Sequence, residues 1–206
     1  MIGRLRAGAV IAACLALVAC QLQTYGVSGA YTWDNPEPVA VDMPAGALSI
    51  RQQFRPDVDG GLGAHNGFDV WGPVGTPVLA VAPGRVIQSF YEPAYGNQIV
   101  VDHGPDEKGR RVHSVYVHLR DRMAEVGDAV ARGEQIATMG ATGALGMAVH
   151  LHFELRRGNA ASPVPSALDP HLLWVDGPGK VTCYDPGRRY PAKPFGITYP
   201  TPCKDS

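Results

Sequence analysis

The chain has 206 residues with a formal net charge of -1, room for one domain of ordinary size rather than two. Hydrophobic residues make up 45% and charged residues only 18%, which excludes a largely disordered chain and gives a polyanion such as nucleic acid nothing to grip. The 25 Gly and 18 Pro favour short strands and turns over long helices.

The first segment reads as a targeting signal. Arg4 and Arg6 precede an apolar run over 7–19 that is too short to span a bilayer as a stable helix. The run closes Leu17-Val18-Ala19-Cys20, which resembles the lipobox of bacterial lipoproteins. That resemblance implies cleavage after residue 19 and lipidation of Cys20, so the protein would reach the membrane through an N-terminal lipid. Ile11-Ala12-Ala13-Cys14 fits the same pattern loosely but leaves a very short apolar region. Without residues 1–19 the chain keeps 16 basic and 19 acidic residues, a balance of about -3.

Residues 20–47 are polar and Pro-bearing and read as an extended tether. From 48 to 175, short apolar runs at 77–82, 84–87, 98–102, 112–119 and 149–155 are split by Gly and Pro, as in a mainly β, antiparallel domain. No long window shows a helical period. Residues 176–206 are rich in Pro, Gly and Tyr and lack strand patterning, so an irregular C-terminal extension is expected. With Cys14 removed and Cys20 lipidated, Cys183 and Cys203 are the two cysteines that remain. Export to an oxidising compartment makes a disulfide between them the expected state.

Seven histidines carry the chemical argument. In His150-Leu151-His152-Phe153-Glu154-Leu155, strand alternation sends Leu151, Phe153 and Leu155 into the core and leaves His150, His152 and Glu154 on the other face. In Val115-Tyr116-Val117-His118-Leu119 the same rule sends Val115, Val117 and Leu119 inward and Tyr116 outward with His118. His65 and Asp69 sit about 13 Å apart if extended, and reach one ion only if Asn66-Gly67 bends the chain. Each segment alone is equally well a solvated polar face.

Taken in order, His65-x-Gly67-x-Asp69, Tyr116-Val117-His118-Leu119 and His150-Leu151-His152-Phe153-Glu154 resemble the lysostaphin/LytM-type zinc peptidases. Gly75-Thr76-Pro77-Val78, Tyr95-Gly96-Asn97 and Val126-Gly127-Asp128 extend the likeness over about 50–174. The resemblance implies a β-sheet groove or sandwich of that type, Zn2+ held by His65, Asp69 and His152, and His118 and His150 as the catalytic pair. It leaves open which of the two is the general base. It further implies a peptidoglycan peptide as substrate. Gln21 after the lipidated cysteine points to a Gram-negative envelope, hence a lipid-anchored protein of the outer membrane facing the periplasm and a D,D-cross-link as the bond cut; protein partners are not indicated. Residues 144–149 run about one residue longer than the usual form and lack its Pro, which alters one groove wall. Two other readings stand beside this one. Some relatives of this type have lost ligands and only regulate other wall hydrolases. A biotinyl or lipoyl carrier would need a lysine that the turn at 140–146 lacks. His103, His113 and His171 match no ligand position and read as structural or solvated.

Overall fold

The computed structural model describes residues 39–55, 64–158 and 166–204. Ten strands form: β1 Ile50–Gln52, β2 Phe68–Trp71, β3 Pro77–Leu79, β4 Gly84–Glu92, β5 Gly96–Pro105, β6 Arg111–Arg122, β7 Ala129–Val130, β8 Gln135–Met139, β9 His150–Gly158 and β10 Ser166–Leu168. One 3-10 turn, Pro170–Leu172, is the only helical element among the described residues. The fold is thus almost entirely β. Every strand pair is antiparallel, along the order β1-β2-β9-β6-β5-β4-β7. β10 adds to β9, and β8 bridges β6 to β3.

The strands outrun their apolar cores because hairpin pairing carries them on. β4 and β5 stay paired, past a shift in register between Val86 and Gln88, to Glu92 opposite Gly96. There the Glu92 carboxylate accepts the N–H groups of Ala94 and Tyr95 at 3.0 and 2.8 Å and shapes the turn. On the far side of the sheet from the histidines, Phe68, Val70, Leu151, Phe153 and Leu155 form the main core with Ile136 and Met139. Phe68 and Phe153, opposite one another on β2 and β9, bring their rings to 5.1 Å.

The alternation expected in β6 holds only in part. Tyr116 is not outward. It is fully buried, 5.3 Å from the Phe153 ring, and its hydroxyl accepts the Val81 N–H at 3.0 Å. Val115 and Val117 lie on the opposite face in a small cluster with Val100 and half-buried Tyr95. The period-two rule then calls for His118 to point into the core, but His118 has φ 61°, a left-handed conformation uncommon for a residue other than glycine. That single inversion turns its ring out beside the β9 histidines and lets Leu119 enter the core.

The C-terminal extension is irregular in backbone yet supplies core side chains. Ile197 and Tyr199 are fully buried, Trp174 forms a β-bridge with Ile197, the Thr198 N–H donates to the Val81 carbonyl and the Leu79 N–H donates to the Pro200 carbonyl. Cys183 and Cys203 are joined by a disulfide. Of the segment read as a tether, residues 20–38 fall outside the described residues. From 39 the chain runs against the domain: Asp42 pairs with Lys180, and Val41, Met43 and Ala47 pack on the core.

Candidate metal centre and its cleft

The β2–β9 register places Asp69 opposite His152 and Trp71 opposite His150. Directly opposed side chains on one face sit about 5 Å apart at Cβ, close enough for a carboxylate and an imidazole to meet. Asp69 Oδ1 lies 2.8 Å from His152 Nδ1. His65 reaches the same point from outside the strand, through the bend at Asn66-Gly67. Gly67 is required there: a Cβ would lie 1.9 Å from the Phe153 carbonyl oxygen, so any larger residue would push β2 off β9. His65 Nε2 ends 3.1 Å from Asp69 Oδ1 and 3.1 Å from His152 Nδ1.

Hydrogen bonding fixes which ring nitrogens face the cluster. His65 Nδ1 donates to the Gln53 carbonyl at 2.9 Å, which leaves the Nε2 lone pair directed at Asp69 and His152. Three lone-pair atoms this close repel unless a proton or a metal cation lies among them. Atoms about 2.0–2.1 Å from one tetrahedral ion are about 3.3 Å apart, so the observed spacing suits a zinc-sized cation after a small outward relaxation. His65, Asp69 and His152 are the group of this kind found among the described residues, with ligand atoms all within 4.8 Å.

The electrostatics agree. Burial alone would raise the Asp69 pKa, but hydrogen bonds from His152 and His65 hold it well below the ordinary carboxylate range. Burial disfavours charge on His152, yet Asp69 and Glu154 on either side raise it to about 9. Glu154 sits 3.0 Å from His152 Nε2 and is paired in turn with Arg156.

The two remaining site histidines stand next to this group. The His118 and His150 rings are 4.7 Å apart between centroids, His118 lies 6.3 Å from His152, and His150 Nε2 is 3.9 Å from Asp69 Oδ2. Burial, with some repulsion from His150, lowers the His118 pKa to about 4, so this ring is neutral near pH 7. Its Nδ1 donates to the Thr142 carbonyl at 2.9 Å, and His150 Nδ1 donates to the Ala148 carbonyl at 2.8 Å. Each of these bonds directs the ring's Nε2 toward the cleft, and in neutral His118 that atom is bare, the form a proton acceptor needs.

All five histidine and aspartate positions thus converge on one open cleft of about 390 Å3. Trp71, Tyr95, Leu145 and Met147 line it as well, and sequence reasoning did not assign them. The signal for two of them lay in the altered wall at 144–149: Leu145 is 49% and Met147 93% exposed. Glu154 had shown its hand by sharing a strand face with the two histidines. The other histidines lie outside the cleft. His103 is bonded to Pro83 and Ser114, His113 lies 3.7 Å from Asp102, and His171 is buried against Phe68 and Trp174. Cys20 falls outside the described residues.

The chain belongs to peptidase family M23, whose family model matches residues 63–164. The peptidoglycan DD-endopeptidase ShyB of Vibrio cholerae is 40% identical over 98 residues, covering 48% of this chain and 22% of that protein. The chain spans about a fifth of the DD-endopeptidases it matches. Lipoprotein NlpD of Yersinia enterocolitica is 37% identical over 98 residues, with 47% of this chain and 94% of that protein covered. Among solved structures, a zinc-containing peptidase from Vibrio cholerae is 34% identical, with 62% of this chain and 37% of that chain covered, at a TM-score of 0.49.

Proposed function

We propose that the protein is a zinc-dependent endopeptidase that hydrolyses peptide cross-links or stem peptides of peptidoglycan, anchored in the cell envelope by a lipid on Cys20. The observation that carries this reading is the convergence of His65 Nε2, Asp69 Oδ1 and His152 Nδ1 beside the paired rings of His118 and His150 in an open cleft. Zinc held by His65, Asp69 and His152 would supply Lewis acidity toward the scissile carbonyl and acidify a water at its remaining position.

The chain's own residues do the rest. His118 and His150, each with Nδ1 committed to a carbonyl, hold bare Nε2 atoms where one takes the proton of the attacking water and returns it to the leaving amine. The other ring, with its own bare Nε2, accepts a hydrogen bond from the same water and so helps to aim it. Trp71, Tyr95, Leu145 and Met147 offer apolar walls on an open cleft, which suits an extended peptide with small side chains better than a compact ligand. The peptidoglycan assignment rests on family membership and on the activity for which the DD-endopeptidase relatives are named. An outer-membrane location facing the periplasm follows from the Cys20 signal, in keeping with a relative named as a lipoprotein.

Substitution separates binding from chemistry. His65→Ala, Asp69→Ala or His152→Ala should abolish both bound zinc, measured by elemental analysis, and cutting. His118→Ala and His150→Ala should keep most of the zinc and lose the activity. Zinc retained in all three ligand variants would sink the metal assignment. A protein that binds zinc but never cuts would instead be a regulator of other hydrolases, a reading that five filled and convergent positions disfavour.

A further inference from the structure

Three of the four site histidines are wired alike. His65, His118 and His150 each give the Nδ1 proton to a backbone carbonyl, of Gln53, Thr142 and Ala148, at 2.8–2.9 Å, and so turn Nε2 to the cleft. His152 is the exception. It turns Nδ1 toward Asp69 and His65, so its Nε2 points away from the cluster and needs an acceptor of its own. β-sheet geometry supplies no carbonyl there, because carbonyls of β9 are committed to β2 and β6. The acceptor is a side chain two residues on along the same face: Glu154 Oε1, 3.0 Å from His152 Nε2. Glu154 is 4% exposed, and its other oxygen is held at 2.6 Å by Nε of Arg156, two residues further along that face.

We propose that Glu154 is a positioning residue that locks His152 in the tautomer with its proton on Nε2 and its Nδ1 free for the metal. The inference rests on the ligand assignment above. A carboxylate in this place does what a carbonyl does for His65, and adds negative charge that makes the imidazole a better donor to a cation. Arg156 Nε holds the second carboxylate oxygen at 2.6 Å and so aims Glu154 at His152. Spacing of two along a strand is what lets one face carry ligand, carboxylate and guanidinium in a row.

The test measures zinc affinity by competition with a fluorescent chelator, and reads the His152 tautomer in the zinc-loaded protein by long-range 1H–15N NMR. Wild type should show the proton on Nε2. Glu154→Gln keeps an oxygen acceptor but not the charge; it should retain that tautomer while binding zinc about tenfold more weakly. Glu154→Leu should bind about 100-fold more weakly, with the tautomer signal broadened or shifted. Val126→Ala, at an exposed turn outside the cleft, serves as the control and should bind like wild type. Should Glu154→Leu fail to fold, Glu154→Gln decides alone: wild-type affinity in that variant overturns the proposal, as does a zinc-bound Nε2 on His152. A wild-type protein that binds no zinc would instead overturn the ligand assignment itself.

Discussion

At His118 one backbone torsion decides whether the site exists. Left-handed backbone costs an L-residue about 1–2 kcal/mol, so neighbours must hold it there. The His118 N–H donates to the Tyr95 carbonyl at 3.2 Å, and Thr142 receives the ring proton on its carbonyl while its hydroxyl binds the Leu119 carbonyl at 2.7 Å. The Asn97 amide adds bonds to the Leu119 and Arg120 carbonyls at 3.1 and 3.0 Å. Thr142→Val, which removes the hydroxyl at nearly constant volume, should cost about 1–2 kcal/mol in denaturant unfolding and lower kcat several-fold, with zinc content unchanged. A variant with wild-type kcat would mean that the inversion needs no such support. The meeting of His65, Asp69 and His152 was legible from His65-x-Gly67-x-Asp69 and the paired histidines of β9, and the resemblance proposed their roles. Tyr116 was not legible. A left-handed histidine leaves no mark in sequence, and a period-two reading carried through it must misplace every residue on one side.

Among the elements, the strands were visible where Val, Ile and Leu cluster, as in β5, β6 and β9, and their ends were not, because register with a partner extends them. The C-terminal extension is the converse case. Ile197 and Tyr199 are as buried as any core residue, but they stand alone among Pro and Gly, so no periodicity announces them. Their place is set by single bonds to β3 and its following turn and by the Cys183–Cys203 link across 20 residues. Closing a loop of that length stabilises by about 3 kcal/mol in the chain-entropy model. The Cys183→Ser/Cys203→Ser variant should therefore melt about 6–12 °C lower by calorimetry, while zinc binding at the remote cleft changes little. An unchanged Tm would show that the extension is held by packing alone. At β2, Gly67→Ala has no room against the Phe153 carbonyl, and should cost several kcal/mol and weaken metal binding together; a stable, zinc-binding variant would contradict the close approach.

For the molecule as a whole, buried His171 and half-buried His103, both outside the cleft, contribute to its response to acid. His171 is 2% exposed, accepts the Trp174 indole N–H on Nδ1 at 3.1 Å and faces Gln53 with Nε2 at 2.6 Å. Burial lowers its pKa to about 4, and burial lowers His103 to about 4 as well. An unfolded histidine takes its proton near 6.5, so between about 6.5 and 4 the unfolded chain binds more protons than the folded one. Stability from these rings is full above about pH 6.5 and falls as pH drops through that window, by up to about 3 kcal/mol for His171. Urea midpoints measured from pH 7.5 to 4.5 should fall less in His171→Gln than in the wild type; an identical pH dependence in the two would refute a buried neutral His171. The central claim, that this cleft cuts peptidoglycan with a metal, is tested most directly by mass spectrometry of purified sacculi incubated with the protein. The expected result is release of fragments whose masses correspond to hydrolysed peptide cross-links, abolished by a chelator, restored by added zinc and absent with His150→Ala. Intact cross-links in the presence of fully zinc-loaded protein, or fragments that persist in chelator, would contradict it.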